Sequence, residues 1–302
     1  MAVVFPEEFP TKEQMINILH KTIEKSWRTD IDLTKINQWL NNFTGKVYDS
    51  ESEQRLALWL LCNYTYYSSD DINHLCRILY DKFLHDLIIR EGISIREAEN
   101  LLNNVSFSSV GSASESGGLI LYHFRQEANL TLDRFFYPTD MPYEESAILV
   151  YVDDATLGGG TCLRHFYNNI EGKANKYIYY LTIMASEDAV KMLEEKGIIV
   201  IYCALLDDRN KCFSENSVIF HRFLELKDIC KKMAECYGAE IVESPVKPLG
   251  FKNGEFCFGF YYNTPNNSLP IFWSRKNWIP IFTRKEKLQN AKQLHISDRE
   301  YI

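Results

Sequence analysis

An apolar run that leads into two adjacent aspartates and a glycine-rich turn constrains the fold of this chain more than any other segment. Residues 147–152 read Ala-Ile-Leu-Val-Tyr-Val, which is typical of a strand buried on both faces of a parallel sheet. Asp153 and Asp154 follow, and three glycines at 158–160 then precede a helical pattern. A strand, a glycine-rich turn and a helix in this order predict an α/β unit with the turn at the carboxyl edge of the sheet.

This turn offers two kinds of hydrogen-bonding group. The N–H groups of Gly158, Gly159 and Gly160 can surround an anion at the start of the next helix, and Thr161 adds a hydroxyl donor. The two carboxylates would repel a phosphate, but they suit sugar hydroxyls, which donate hydrogen bonds to carboxylate oxygens. A ribose 5-phosphate could bind to both, with its phosphate at the N–H groups and its hydroxyls at the carboxylates. The alternative is an ordinary glycine-rich turn beside two solvated aspartates, which explains the glycines but not the acidic pair.

The stretch resembles the phosphoribosyl pyrophosphate loop of type I phosphoribosyltransferases. The resemblance implies that Asp153 and Asp154 are catalytic and hold the ribose hydroxyls, while Thr156 and residues 158–161 bind the 5-phosphate. Some proteins of that class carry an acidic base two residues before the central glycine, where this chain has Leu157. Other members lack the base as well, so the resemblance leaves the general base unassigned.

Composition limits the class of protein. With 302 residues, 46% of them hydrophobic, the chain is long enough for a substantial core. Its net charge of −8 makes it a poor candidate for bulk binding of nucleic acid. The eight cysteines form no C-x-x-C pair, and the first residues lack the pattern of a signal peptide. Because no uncharged stretch reaches the roughly 20 residues of a membrane span, we expect a cytoplasmic protein without a membrane partner.

The pattern from residue 11 to about 103 predicts about five helices and no strand. Apolar residues recur at helical spacing, and Gly45 and Gly92 mark two helix ends. Three of the helix starts carry the pattern of a capping box, at Thr11–Gln14, Ser50–Glu53 and Ser94–Glu97. We therefore divide the chain into a helical region over residues 1–104 and an α/β domain over residues 105–302.

Beyond residue 105, β-rich and helical patterns alternate, which predicts a parallel sheet covered by helices on both faces. The predicted strands cover residues 105–110, 147–152, 177–183 and 198–203. Helices are predicted at 119–127, from about 161 to 170, after a cap at Ser186, and at 216–237, where Gly238 would end the last one. Ligands bind beyond the carboxyl ends of such strands, which is where the glycine loop falls.

A loop of small residues follows the first predicted strand. It reads Gly-Ser-Ala-Ser-Glu-Ser-Gly-Gly over residues 111–118. In type I phosphoribosyltransferases a loop after the first strand binds pyrophosphate through backbone N–H groups. The resemblance therefore implies that Ser114, Ser116 and Gly117 take part in binding the pyrophosphate. A flexible surface loop is the alternative.

The last informative segment is Asn-Thr-Pro-Asn-Asn-Ser-Leu-Pro-Ile-Phe-Trp, from Asn263 to Trp273. Asn263, Asn266 and Asn267 carry donors and acceptors that could bind a base edge or a phosphate, and Trp273 could stack on a base. The same residues also make good turns, and the tryptophan is equally typical of a core. The segment resembles the signature of the phosphoribosyltransferase-like effector family of bacterial conflict systems, whose members occur beside anti-phage modules, including some retrons.

Together the resemblances imply a Mg²⁺-dependent transfer at the anomeric carbon of phosphoribosyl pyrophosphate or a ribose 5-phosphate nucleotide, by an effector of anti-phage defence. We expect the donor oxygens and water to hold Mg²⁺, without a dedicated protein cage. Asp207 and Asp208 are second candidates for contacting metal or acceptor, with an ordinary polar loop as the alternative. A reverse transcriptase or NTPase module and a second copy of the chain are the candidate protein partners. A nucleotide sensor without turnover and an N-glycosidic hydrolase stay open as alternatives.

Overall fold

The computed structural model describes residues 1–111, 116–170, 172 and 175–284 of the chain. Its helices are α1 (Lys12–Thr22), α2 (Leu33–Leu40), α3 (Ser50–Cys62), α4 (Ser69–Glu91), α5 (Ile95–Leu101), α6 (Ser116–Glu127), α7 (Gly160–Asn169), α8 (Glu187–Glu194) and α9 (Leu224–Ile241). Its strands are β1 (Thr65–Tyr67), β2 (Val105–Ser109), β3 (Ile148–Thr156), β4 (Tyr177–Ser186), β5 (Ile199–Leu206) and β6 (Phe258–Phe260).

The main sheet has four parallel strands in the order β2-β3-β4-β5. Phe135 forms a single parallel bridge to Phe107, on the side of β2 that faces away from β3. The chain therefore leaves β2 outward through α6 to this bridge, returns to β3, and then steps through α7 to β4. The direction of stepping reverses between β2 and β3, and in such sheets the ligand crevice lies beyond the carboxyl ends of the strands where this reversal occurs.

Helices cover both faces of this sheet, so the predicted α/β fold with a parallel sheet between helices is confirmed. Alternate residues of β3 divide between the faces, as the period of two in a strand requires. Val150 packs in the core that includes residues of α4 and α6. Leu149 and Tyr151 pack in the core that includes residues of α7 and α8.

A third core joins the first and last described parts of the chain. Residues of α1, α2 and α3 pack with α9 and with the segment that runs to Phe282. In the same region β1 pairs in parallel with β6, and Tyr66 lies opposite Gly259. The expectation of no strand before residue 105 is therefore wrong. Three residues are too few to show alternation, and their partner strand lies in a distant part of the sequence. The division at residue 104 stays a prediction.

Local helix signals were reliable where the capping residues are exposed. The capping boxes at Thr11–Gln14 and Ser94–Glu97 are confirmed. The box at Ser50–Glu53 is wrong, because Asp49 caps α3 and Glu53 is buried. The carboxylate of Glu53 instead accepts hydrogen bonds from the backbone N–H groups of Gly45, Val47 and Tyr48. A buried acid thus holds the loop before α3.

The last helix differs most from its prediction. It begins at Leu224 rather than 216, and it continues past Gly238 to Ile241. A Cβ on Gly238 would lie 2.1 Å from the carbonyl oxygen of Pro248. This glycine therefore permits a close approach of backbone to helix and does not mark a helix end. Across the described ranges, none of the helices combines the length and apolar character needed to cross a bilayer.

Candidate functional site

The start of α6 lies against the acidic pair at the carboxyl edge of the sheet, between β2 and β3. A Cβ on Gly117, in the first turn of α6, would lie 3.4 Å from Asp153 Oδ1 and 3.0 Å from the carbonyl oxygen of Val110. Only a residue without a side chain lets α6 begin this close to the end of the sheet. Ser116 starts the same helix. Ser114, which we predicted beside it, lies outside the described residues.

Asp153 is almost fully enclosed, with 9% of its surface exposed. The hydroxyl of Tyr180 donates to Asp153 Oδ2 over 2.8 Å, and the backbone N–H of Asp154 donates to Oδ1 over 2.9 Å. Burial, and then the neighbouring charge of Asp154, raise the pKa of the Asp153 carboxyl well above its usual range, while the Tyr180 hydrogen bond opposes that rise. This carboxyl therefore holds a proton at a pH where an exposed aspartate would not.

Asp154 is equally enclosed, with 8% exposed, but its partners lie on the other face of β3. The backbone N–H of Ala155 donates to Asp154 Oδ1 over 2.7 Å, and the hydroxyl of Tyr262 donates to Oδ2 over 3.1 Å. Burial raises the pKa of Asp154, and hydrogen bonds, the largest from Ser116, lower it in part. One carboxylate thus joins β3, the start of α6 and the C-terminal segment.

The strand also runs further than its sequence indicates. β3 continues to Thr156, so the two aspartates lie within the last part of the strand and not beyond its end. Thr156 is buried. The next residue, Leu157, accepts a hydrogen bond at its carbonyl oxygen from Ser186 Oγ over 3.2 Å. Because Ser186 also caps α8, this contact ties the glycine loop to the neighbouring helix start.

The glycine loop begins a helix, as predicted. Gly159 occupies the cap position of α7 with φ 65°, and a Cβ there would lie 3.1 Å from the sulfur of Met192. Both the left-handed backbone and the packing against α8 require glycine at this position. Gly160 and Thr161 form the first turn of α7, and no atom lies within 4 Å of a Cβ built on Gly160. The N–H groups of this turn lack intrahelical acceptors, which suits an anion.

The sequence model of the PRTase-CE family matches residues 36–284, which include every residue that we predicted for the site. The chain belongs to this phosphoribosyltransferase-like family. The solved structure of a hypothetical protein from Neisseria gonorrhoeae with bound ppGpp is similar to 56% of this chain and to 97% of its own chain. That similarity has 9% identity and a TM-score of 0.34, and it says nothing about a shared ligand. No curated protein matches this PRTase-CE chain.

Lys252 is a residue of this PRTase-CE site that the sequence did not reveal. A Cβ on Gly158 would lie 3.4 Å from Lys252 Nζ, so the ammonium group lies beside the glycine loop. The lysine belongs to a short turn after Gly250, far along the chain from the loop that it faces. Neighbouring strands and turns from separate parts of a sequence carry no local signal of contact. The only hint was the pair of glycines that flank this turn.

The three asparagines of the C-terminal motif form hydrogen bonds with two parts of the backbone. The N–H of Phe251 donates to the carbonyl oxygen of Asn266 over 2.7 Å, and Asn267 Nδ2 donates to the carbonyl oxygen of Phe251 over 3.0 Å. Asn263 closes a turn with Phe260 through hydrogen bonds in both directions. Asn266 and Asn267 therefore shape the turn that carries Lys252. Direct contact of the three asparagines with a ligand stays a prediction.

Trp273 belongs to the core. Only 7% of its surface is exposed, and its indole N–H donates to the carbonyl oxygen of Ser268 over 2.9 Å. The guanidinium of Arg284 lies 5.1 Å from the centre of its ring. Of the two interpretations of this tryptophan, the structural one is confirmed, since its ring is packed against other side chains and not against open space.

Asp207 and Asp208, the second candidates for contacting metal or acceptor, are bound to cations of the chain. Asp207 caps a short turn and pairs with Arg209 over 2.6 Å, while Asp208 pairs with Lys211 over 3.2 Å. Within the described ranges, no three side chains of His, Cys, Asp or Glu converge in a group that could hold a metal ion. Asp154, with oxygens at the crevice, is a carboxylate that could complete the shell of a metal held by a ligand. A role for Mg²⁺ stays a prediction.

Proposed function

We propose that this PRTase-CE protein binds phosphoribosyl pyrophosphate, or a ribose 5-phosphate nucleotide, and transfers the phosphoribosyl group. The observation that carries this proposal is the position of Asp153 and Asp154 in the strand that leads into the glycine-capped start of α7, with α6 beginning against Asp153. One crevice thereby offers carboxylates for sugar hydroxyls and two helix starts for anionic groups. The family supports the same class of ligand.

The chemistry follows from the charge that develops on the sugar. As the bond between C1 and the pyrophosphate oxygen breaks, pyrophosphate leaves with the bonding electrons and positive charge grows on the ring. The buried carboxylates stabilise that charge more strongly than they would in water. A nitrogen of the acceptor base then donates its electron pair to C1 and loses its proton to water, since no general base is assigned. Mg²⁺, bound by oxygens of the donor and by water, would neutralise charge on the pyrophosphate.

The raised pKa values of the pair set a condition on binding. A protonated carboxyl offers fewer acceptor positions to sugar hydroxyls than a carboxylate does. At a pH below the raised pKa values of the pair, ligand binding therefore has to release a proton. The hydroxyl of Tyr262 occupies an acceptor position on Asp154 that a ribose hydroxyl would use. The ligand must replace this hydrogen bond or bind beside it.

A direct test uses Asp154→Asn with Asp81→Asn as its matched control. The amide keeps the shape and the hydrogen bond from Ala155 but lacks the charge, so we expect PRPP affinity and pyrophosphate release with candidate bases to fall by about tenfold or more. Asp81 is an exposed aspartate of α4 that pairs with Arg77, and its variant should behave as the wild type. Equal affinity of wild type and Asp154→Asn for PRPP would refute the assigned role.

The second candidate is a sensor that binds the same compound without turnover. Leu157 occupies the position of the acidic base found in some type I enzymes, and both aspartates are already satisfied by hydrogen bonds within the protein. Tight binding without pyrophosphate release, whichever base is added, would favour this candidate. Free ribose 5-phosphate as a product of nucleotides would instead identify an N-glycosidic hydrolase.

The role of effector in anti-phage defence, with a reverse transcriptase or an NTPase module as partner, is part of the same proposal. Its support is the resemblance of the motif from Asn263 to Trp273. Self-association of the chain is a further part of the proposal. Neither affects the test of the site, since Asp154→Asn is assayed on the isolated protein.

A further inference from the structure

The glycine loop has no cation of its own. Positions 153–163 contain two aspartates and no basic residue. A bound 5-phosphate would carry up to two negative charges beside the acidic pair, in a chain whose net charge is −8. The N–H groups at the start of α7 supply only partial charges. A positive group from another part of the chain would therefore be needed to offset the repulsion between the phosphate and the acidic pair.

Lys252 is placed to supply this charge. Its ammonium nitrogen lies 3.4 Å from the point that a Cβ on Gly158 would occupy, on the loop that we assign to the phosphate. The side chain is exposed and lies over the ring of Phe251 at 6.0 Å. Among the residues that the structure describes, no carboxylate forms an ion pair with it. An ammonium group bound to no carboxylate can bind a phosphate as a point charge.

The backbone under Lys252 is held in place by the asparagine motif. Lys252 has φ 55°, in the left-handed region that costs energy for a residue with a side chain. The turn is fixed by the hydrogen bond from Asn267 Nδ2 to the carbonyl oxygen of Phe251 and by tight packing, since a Cβ on Gly254 would lie 2.5 Å from the carbonyl oxygen of Asn267. A rigid turn loses little entropy when its side chain binds a ligand.

We propose that Lys252 binds the 5-phosphate of the phosphoribosyl ligand and that Asn267 acts as its positioning residue. The inference rests on the proposed function and adds to it a residue from outside the phosphate loop. It gives the asparagine motif a role at the site without direct contact with the ligand. It also predicts that selectivity for a phosphorylated ribose depends on the C-terminal segment.

The experiment measures the affinity of the full chain for PRPP and for inorganic pyrophosphate by calorimetry. Lys252→Met, which keeps the aliphatic stem, should weaken PRPP binding by about 10- to 100-fold and leave pyrophosphate binding unchanged. Lys252→Arg should restore most of the affinity for PRPP. Asn267→Ala should reduce PRPP affinity with the same selectivity. Lys247→Met removes the same charge from an exposed lysine of the same segment and should have no effect.

The outcomes separate the two proposals. If the wild type binds PRPP and Lys252→Met binds it equally well, the role of Lys252 is refuted while the proposed function stands. Equal losses of PRPP and pyrophosphate affinity, or an equal loss in Lys247→Met, would show a general effect of charge and would also refute it. A wild type that binds neither compound would overturn the proposed function and this inference with it.

Discussion

The hydrogen bond from Tyr180 to Asp153 offers a sharp test of the electrostatics of the site. The hydroxyl is buried, the residue being 1% exposed, and it donates to Asp153 Oδ2 over 2.8 Å. Tyr180→Phe removes only the oxygen and keeps the ring. Water cannot replace the lost donor at this depth, so the variant leaves an oxygen of Asp153 without one of its donors.

The cost should depend on pH. When Asp153 is ionised, the lost hydrogen bond is to a charged acceptor and is worth about 1.5–3 kcal/mol; when it is protonated, the bond is worth about 0.5–1.5 kcal/mol. Burial raises the pKa of Asp153, so the neutral form is favoured at low pH and its contribution to stability is lost as pH rises through the folded-state pKa. The cost of Tyr180→Phe should therefore grow as pH rises.

The assay is urea unfolding of wild type and variant at several pH values from 5 to 9. Tyr179→Phe is the matched control, since its hydroxyl donates over 2.8 Å to Asp86, which keeps Arg90 as a partner at the protein surface. Tyr179 is itself buried, but Asp86 is partly exposed and keeps Arg90, so that variant should cost about 0.5–1.5 kcal/mol. A cost of Tyr180→Phe that stays constant or falls as pH rises would refute the reasoning about the acidic pair.

Two further predictions concern the ligand. Gly159→Ala should destabilise the protein by about 1–2 kcal/mol because the backbone at this position is left-handed. It should also weaken PRPP binding, since the new Cβ would lie 3.1 Å from the sulfur of Met192 and one of them must move. Gly160→Ala, where no atom lies near the new Cβ, should leave the free energy of chemical unfolding nearly unchanged. PRPP affinity should rise as pH passes through the raised pKa values of the acidic pair, because the ligand requires ionised carboxylates. Calorimetry that shows a falling affinity over this rise in pH, or the same slope in Asp154→Asn, would contradict this.

The sequence predicted the parts of the site that depend on local order. The strand before Asp153, the helix start at Gly160 and the helix that follows the small-residue loop are all read from neighbouring residues, and all are present. The prediction ended β3 too early, because aspartate is rare inside strands and only tertiary contacts offset its burial here. Propensity alone therefore placed the acidic pair outside the sheet.

The partners of the acidic pair could not be predicted in this way. Tyr180 reaches Asp153 because β3 and β4 pair in register, with Tyr151 opposite Tyr180 and Asp153 opposite Thr182. A correct register, combined with the alternation of side chains along a strand, would have placed Tyr180 and Asp153 on one face. Lys252 and Tyr262 come from a different part of the chain, and no periodicity in one sequence reports such contacts.

The parallel pair of β1 and β6 joins the helical region before residue 105 to the segment after α9. Two parallel strands need a crossover connection between them. Here that connection includes all four strands of the main sheet. Because the tyrosine that donates to Asp154 comes two positions after β6, the pairing of β6 with β1 supports the geometry around that acid. A fragment that starts after Tyr67 would leave β6 with an unpaired edge and would lose the support of the segment that reaches the crevice.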